Sequence, residues 1–142
     1  MWQNWSPAAR AVLGRAVRAC PDRRVALGDV ADALDHAGTG TIHLPGRESF
    51  SHAVGVALDR AELLSRQAGE DLVGVTFLLS GLVDSAFTYR GKVPEALLLG
   101  MSRRLLRLMG GEGTDDEIIA LLTVGEGFDV SPSELLTRHV LG

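Results

Sequence analysis

The chain has 142 residues, which fits a single domain over 1–142, and folding at this size buries roughly 70% of the unfolded surface without covalent staples. Apolar residues make up 46%, Gly and Pro are too few for a disordered chain, and one cysteine, Cys20, excludes an internal disulfide and fits a reducing compartment. With 14 basic and 18 acidic residues the net charge is −4, so the composition argues against a general nucleic-acid binder.

The opening stretch, MWQNWSPAARAVLGRAVRAC, does not read as a signal peptide, because Arg10, Arg15 and Arg18 interrupt any apolar core. Apolar runs such as ALLLGM fall far short of the ~20 residues that span a bilayer. The expected setting is soluble and cytoplasmic, with no membrane partner.

Helical periodicity predicts a first helix over 7–19. Ser6 is its N-cap and Pro7 its first residue, where the missing N–H costs nothing. Pro21 helps end it. A short second helix is expected over 27–36, with Val30, Ala31, Ala33 and Leu34 inward and Gly38 at its end. Residues 37–49 break the pattern, and TIHL within them has the look of a short extended piece. A third helix runs from Ser51 to about Ala68, burying Ala53, Val54, Ala57, Leu58, Ala61 and Leu64, with Gly69 after it. Residues 73–83 are apolar nearly all round and predict a central helix with Phe77, Leu78, Leu79 and Leu82 at its heart. FTYRGK reads as a turn. An amphipathic helix follows over 94–109, ended by GGEG. Two capping boxes, TDDE from Thr114 and SPSE from Ser131, launch helices over 115–123 and 132–141. The fold class is therefore all-α: a compact multi-helix domain of about seven helices.

A partial internal two-helix repeat runs through this pattern. WSPAARAVLGRAV from Trp5 and FSHAVGVALDRAE from Phe50 share an aromatic, a serine cap, and the pairs Leu13/Leu58, Arg15/Arg60 and Ala16/Ala61. Each copy leads through a hinge to a more buried helix. The second copy, FSHAVGVALDRAELLSRQAGEDLVGVTFLLSGL, resembles the repeat of the Clp chaperone N-terminal domain over about 35 residues. The matching positions include Phe50, Ser51, Ala61, Gly69, Val73, Gly74, Leu78, Leu79, Gly81 and Leu82. The likeness is faint over 5–36.

The resemblance implies a helical module that binds substrate proteins, adaptors and some cyclic-peptide antibiotics ahead of an ATP-driven unfoldase. A Clp ATPase would then be a partner. Where the family commonly has Thr-Glu-His, this chain has Val75, Thr76 and Phe77, and Leu27, Gly28 and Asp29 in the first copy. A guanidinium needs a carboxylate for bidentate recognition, so phosphoarginine is disfavoured as a ligand. No GxxxxGK[ST] loop occurs, so no ATPase is expected in this chain.

The expected function is a stand-alone, diverged Clp-repeat domain that binds a peptide, a protein or an apolar small molecule, as adaptor, decoy or sequestering protein. Its candidate ligand-binding residues are Trp2, Trp5, Phe50 and Thr76, with Trp2 as a lid. Tryptophan buries much area at low entropy cost. A plainer role for these rings is to staple the helix starts into the core. The alternative is a small biosynthetic enzyme, a cyclase or isomerase, working through a buried acid such as Asp59, Glu62 or Asp84.

No cofactor or metal is expected: His36, His43, His52 and His139 are scattered, without helical ligand spacing. Cys20 reads as a small buried group. Asp115, Asp116 and Glu117 suit a helix N-terminus. Arg103, Arg104 and Arg107, with Arg90 and Lys92, read as a solvated face or a dock for an acidic partner. GTGT at 38–41 is too short for a phosphate cradle, and Ser49, Ser51 and His52 are neighbours in sequence without triad geometry.

Overall fold

In a computed structural model, residues 2–36 and 43–142 are described, and among them the chain forms seven α-helices and no strand longer than an isolated bridge. They are α1 (Pro7–Ala19), α2 (Leu27–Leu34), α3 (His52–Gln67), α4 (Val75–Thr88), α5 (Glu95–Leu108), α6 (Asp115–Phe128) and α7 (Pro132–Leu141). A 3₁₀ turn, Arg47–Ser49, precedes α3. Thr41 and Ile42 of TIHL and all of GTGT lie outside the described residues, as does Gly38.

The two related helices start in the same way. The Ser6 hydroxyl accepts from the Ala9 N–H at 3.1 Å, and the Ser51 hydroxyl from the Val54 N–H at 3.3 Å. Just upstream, the Trp5 N–H donates to the Trp2 carbonyl and the Phe50 N–H to the Arg47 carbonyl, both at 3.1 Å. The equivalence extends to the hairpins' second helices, because each hairpin's aromatic segment pairs with the other hairpin's hinge. Ser6 N–H meets the Val73 carbonyl at 3.0 Å, and Val73 N–H meets the Asn4 carbonyl at 2.6 Å. In the mirror pairing, Ser51 N–H meets the Val25 carbonyl at 2.8 Å and Val25 N–H meets the Ser49 carbonyl at 2.9 Å. The internal repeat is thus a pair of α-hairpins, α1–α2 and α3–α4, crossed by reciprocal main-chain bridges.

The all-round apolar helix takes the centre. Helix α4 touches α1, α3, α5 and α7, and Leu78, Leu79, Leu82, Val83 and Ala86 are fully buried in it. Each such leucine contributes about 2 kcal/mol of burial. Phe77, expected at its heart, is only half-buried. The helix also runs on through Thr88, five residues beyond the expected end at 83. Asp84 and Ser85 look polar in sequence but are buried with partners: the Ser85 hydroxyl donates to the Ala53 carbonyl at 2.6 Å.

Helix α6 likewise continues to Phe128 rather than stopping at 123. Its two glycines are compatible with helix, and Gly125 is buried where a Cβ would overlap the Leu135 side chain of α7. Asp129, in the left-handed region at φ 54°, closes the helix. The expected capping boxes are half-formed. Thr114 and Ser131 accept from the N–H groups of Glu117 and Glu134, but the Glu117 carboxylate meets the Thr114 hydroxyl and Glu134 pairs with Arg138.

Among the described residues, no helix is long and apolar enough to cross a membrane.

The α3–α4 crossing leaves no room at Gly81, where a Cβ would collide with the Ala57 carbonyl oxygen and crowd the Ala61 backbone. Gly81→Ala is expected to lower stability by about 1–3 kcal/mol, whereas Gly55→Ala, whose Cβ would meet nothing within 4 Å, is expected to leave it unchanged or slightly raised. Urea unfolding of the two variants measures both, and an unchanged midpoint for Gly81→Ala would refute the close crossing.

Candidate functional site

The rings expected to bind ligand converge at the seam between the hairpins. Trp2 lies edge-on to Trp5, with centroids 5.6 Å apart, and edge-on to Phe50 at 5.9 Å. Its Nε1 donates to the Pro45 carbonyl at 2.9 Å, and the Arg47 guanidinium lies over its ring, 5.7 Å from the centroid. Trp2 and Arg47 occupy equivalent places, each three residues before its repeat's aromatic, so the seam is closed by two counterparts stacked on each other. Arg47 also reaches Asp59 at 2.8 Å, and Glu62.

Exposure separates the four candidates. Trp5 is 0% exposed and Phe50 3%, so in the folded chain neither offers a ligand any surface. Trp2 is half-buried and covers them. Thr76 is half-buried in the first turn of α4, where its carbonyl accepts from the Ser80 hydroxyl at 2.9 Å.

The two inner helices begin differently. At the start of α2, Asp29 accepts from the Ala26 N–H at 2.8 Å, and Arg23 holds both its carboxylate oxygens at 2.5 and 2.7 Å. The Arg23 hydrogen bonds hold the Asp29 carboxyl well below the usual carboxylate range. Burial, then the neighbouring Asp29, pushes the Cys20 thiol up, as befits an inert group. At the equivalent start of α4, Gly74 supplies no side-chain cap and no acidic residue stands in the first turn.

The carboxylates considered for catalysis are all engaged. Asp84 is buried between α4 and α7, accepting from the Ser133 N–H at 2.8 Å, the Ser133 hydroxyl at 2.7 Å and Arg60 Nε at 3.0 Å. Asp59 and Glu62 share Arg47. Among the described residues no three His, Cys, Asp or Glu side chains converge as a metal site requires. In the arginine stripe, Arg103 pairs with Asp115, Arg104 with Asp35 and Arg90 with Glu126.

A site that sequence reading missed lies where the end of α4, the start of α5 and one edge of α6 meet. This open groove holds about 340 Å³, with a floor of Phe87, Val93, Leu98, Leu99 and Leu122 and a rim that includes Ile119 and the Arg90–Glu126 ion pair. A concave apolar surface with a few polar groups at its edge is the common form of a binding site. Its parts are far apart in sequence. The one local signal is Ile118–Ile119: adjacent isoleucines in a helix cannot both face the same core, and Ile119 is 39% exposed.

No protein-family model matches the chain, and no curated protein and no solved structure does either.

Asp29 supplies a pH test. Because its carboxyl is depressed in the folded state, the stabilisation is fully present above about pH 4, the ordinary carboxylate value, and is lost as pH falls below it. Asp29→Asn is therefore expected to destabilise the chain at neutral pH and to flatten the acid limb of its stability profile. Thermal melts between neutral and acid pH check this; parallel acid limbs for the variant and the parent would contradict it. At the other tether, Asp84→Ala should cost about 1–3 kcal/mol by stranding the Ser133 donors, and equal urea midpoints would refute the tether.

Proposed function

We propose that the chain is a binding domain of Clp-repeat type whose ligand is a peptide or protein segment that buries apolar side chains on it. The single observation that carries this reading is the groove between α4, α5 and α6: apolar floor, polar rim, and a volume that takes one or two large side chains. The reciprocal bridging of the two hairpins makes the first copy, faint in sequence, equivalent to the second bond by bond, which supports the internal duplication on which the reading builds. A role as adaptor, decoy or sequestering protein, with or without a Clp ATPase as partner, follows from the same resemblance. The enzyme reading draws less support, since Asp84, Asp59 and Glu62 are each held by structural partners.

A second place for a ligand is the start of α4. There no side chain caps the helix and no acidic residue stands in the first turn, whereas at the equivalent start of α2 the Asp29 carboxylate accepts from the Ala26 N–H. A peptide carbonyl or carboxylate suits such a terminus. In this reading Thr76 lies at the contact and Trp2 on the neighbouring seam reports it. A saturable change in tryptophan fluorescence with linear or cyclic peptides, lost in Trp2→Ala, is the expected signal. Its absence would leave the groove as the one site of this proposal.

The main test is selection of peptides from a random displayed library on the folded chain, followed by chemical-shift mapping. Enriched peptides are expected to carry large apolar residues and to perturb Phe87, Leu98, Leu99 and Ile119. Thr123→Trp, placed on the exposed groove edge, should plug the site and weaken binding at least about tenfold while the melting temperature holds. Library selection that enriches nothing, or enriched peptides that bind the plugged variant equally well, would reject the reading.

A further inference from the structure

Helix α6 is apolar on two faces. Ile118, Leu122 and Gly125 face the core, and Leu121 is half-buried beside them. Ile119, Ala120, Thr123, Val124 and Gly127 recur at the spacing of a second stripe, and all five are exposed. Ile119 and Val124 are 39% and 53% exposed, and a Cβ at Gly127 would meet nothing within 4 Å. This stripe is continuous with the groove, since Ile119 and Thr123 belong to both. Its small residues, Ala120, Thr123 and Gly127, let another helix approach closely, while the groove beside them takes a bulky anchor.

The α6 segment itself carries charge of one sign, while Arg90 lines the groove and Arg103 and Arg107 share a neighbouring cleft with Glu112 and Glu117. From Leu108 to Thr137 the sequence contains seven acidic residues (Glu112, Asp115, Asp116, Glu117, Glu126, Asp129 and Glu134) and no lysine, arginine or histidine. Arg103, Arg90 and Arg138 neutralise Asp115, Glu126 and Glu134. Glu112, Asp116, Glu117 and Asp129 have no ion pair among the described residues. Asp116 and Glu117 stand at one end of α6 and Asp129 at the other. A second copy of this chain would bring the same uncompensated acids against each other, so its own α6 face is a poor complement.

We infer that the outward stripe of α6 and the adjoining groove dock a cationic amphipathic helix, which lays its apolar face along Ile119–Val124, inserts one large side chain into the groove, and sets lysines or arginines against Asp116, Glu117 and Asp129. The inference rests on the reading of the groove as a binding site and adds the charge and shape of its occupant. Helix-in-groove recognition of this kind reads apolar anchors at helical spacing and uses flanking charge for orientation and rate.

The test uses the full chain and three synthetic helical peptides sharing one leucine–phenylalanine face, flanked by lysine, by glutamine or by glutamate. The lysine peptide is expected to bind at least roughly tenfold tighter than the glutamine one at low salt, to lose that margin as salt rises, and to outrank the glutamate peptide further. Val124→Arg should abolish binding. Asp116→Asn with Asp129→Asn, the latter tolerated at a left-handed position, should narrow the lysine peptide's margin over the glutamine one severalfold, with circular dichroism showing the fold intact. Equal, salt-independent binding of the lysine and glutamine peptides overturns the cationic partner while leaving the groove reading standing. Failure of all three peptides, with library-selected peptides also failing, overturns both. Sedimentation showing a dimer that Val124→Arg dissociates would assign the face to a second copy and overturn the inference.

Discussion

Everything else in this domain is placed by the crossed pairing of two helical hairpins, Asn4–Ser6 with Val73 and Ser49–Ser51 with Val25. An α-hairpin satisfies its own helical hydrogen bonds but leaves its entry segment and its hinge with unpaired main-chain groups. Here each hairpin's entry segment answers the other's hinge. The side chains that flank these bonds, Trp5, Phe50, Val25 and Val73, are all buried, so the four bonds lie in a dry environment where an unpaired donor would be costly. The result fixes the position and direction of α2 relative to α4, and with them the face of α4 that remains for α5 and α7.

The second layer is tied on by polar groups rather than by apolar area alone. Asp84, near the end of the central helix, takes both the main-chain and side-chain donors of Ser133 in the first turn of α7, while Arg60 supports it from α3. One carboxylate therefore sets the register of three helices. Because α7 is held there, α6 packs against it through Gly125, and its other edge closes the groove with α4 and α5. The groove follows from that geometry: its floor combines the tethered α4 with α5 and α6, and its rim includes an exposed ion pair that can open without disturbing the core.

Much of this order was legible in the sequence, and the parts that were not share a cause. Ser6, Ser51, Thr114 and Ser131 are caps in the folded chain as their local patterns imply, because capping is decided within four residues. The offset of 45 between Trp5 and Phe50 pointed to the repeat, but the valines that complete it are 48 apart, since α3 has 16 residues and α1 only 13. The reciprocity was therefore invisible to a fixed-offset comparison. The rings at the seam were recognisable as important, yet their burial depends on what covers them, and that is a three-dimensional fact: Trp2 lies across both Trp5 and Phe50. The all-round apolar pattern of α4 stops at Val83, since Asp84 and Ser85 are polar; their partners sit on α7 and α3, 49 and 32 residues away in sequence.

Helix α6 makes the same point about function. Gly125 and Gly127 weaken a helix on propensity alone, by about 1 kcal/mol each relative to alanine, and so the sequence pattern suggests an early end. The two glycines serve opposite sides. Gly125 faces inward, where a side chain would clash with Leu135; Gly127 faces outward, where nothing stands near it. Packing accounts for the first and gives no reason for the second. A helix that gives up propensity at an exposed position, and surrounds that position with Ala120, Thr123 and Val124, has a surface shaped for close approach on its free side as well as its buried one. The folded chain accounts for one apolar face of α6, and the other is the face to which the proposed cationic helix would bind.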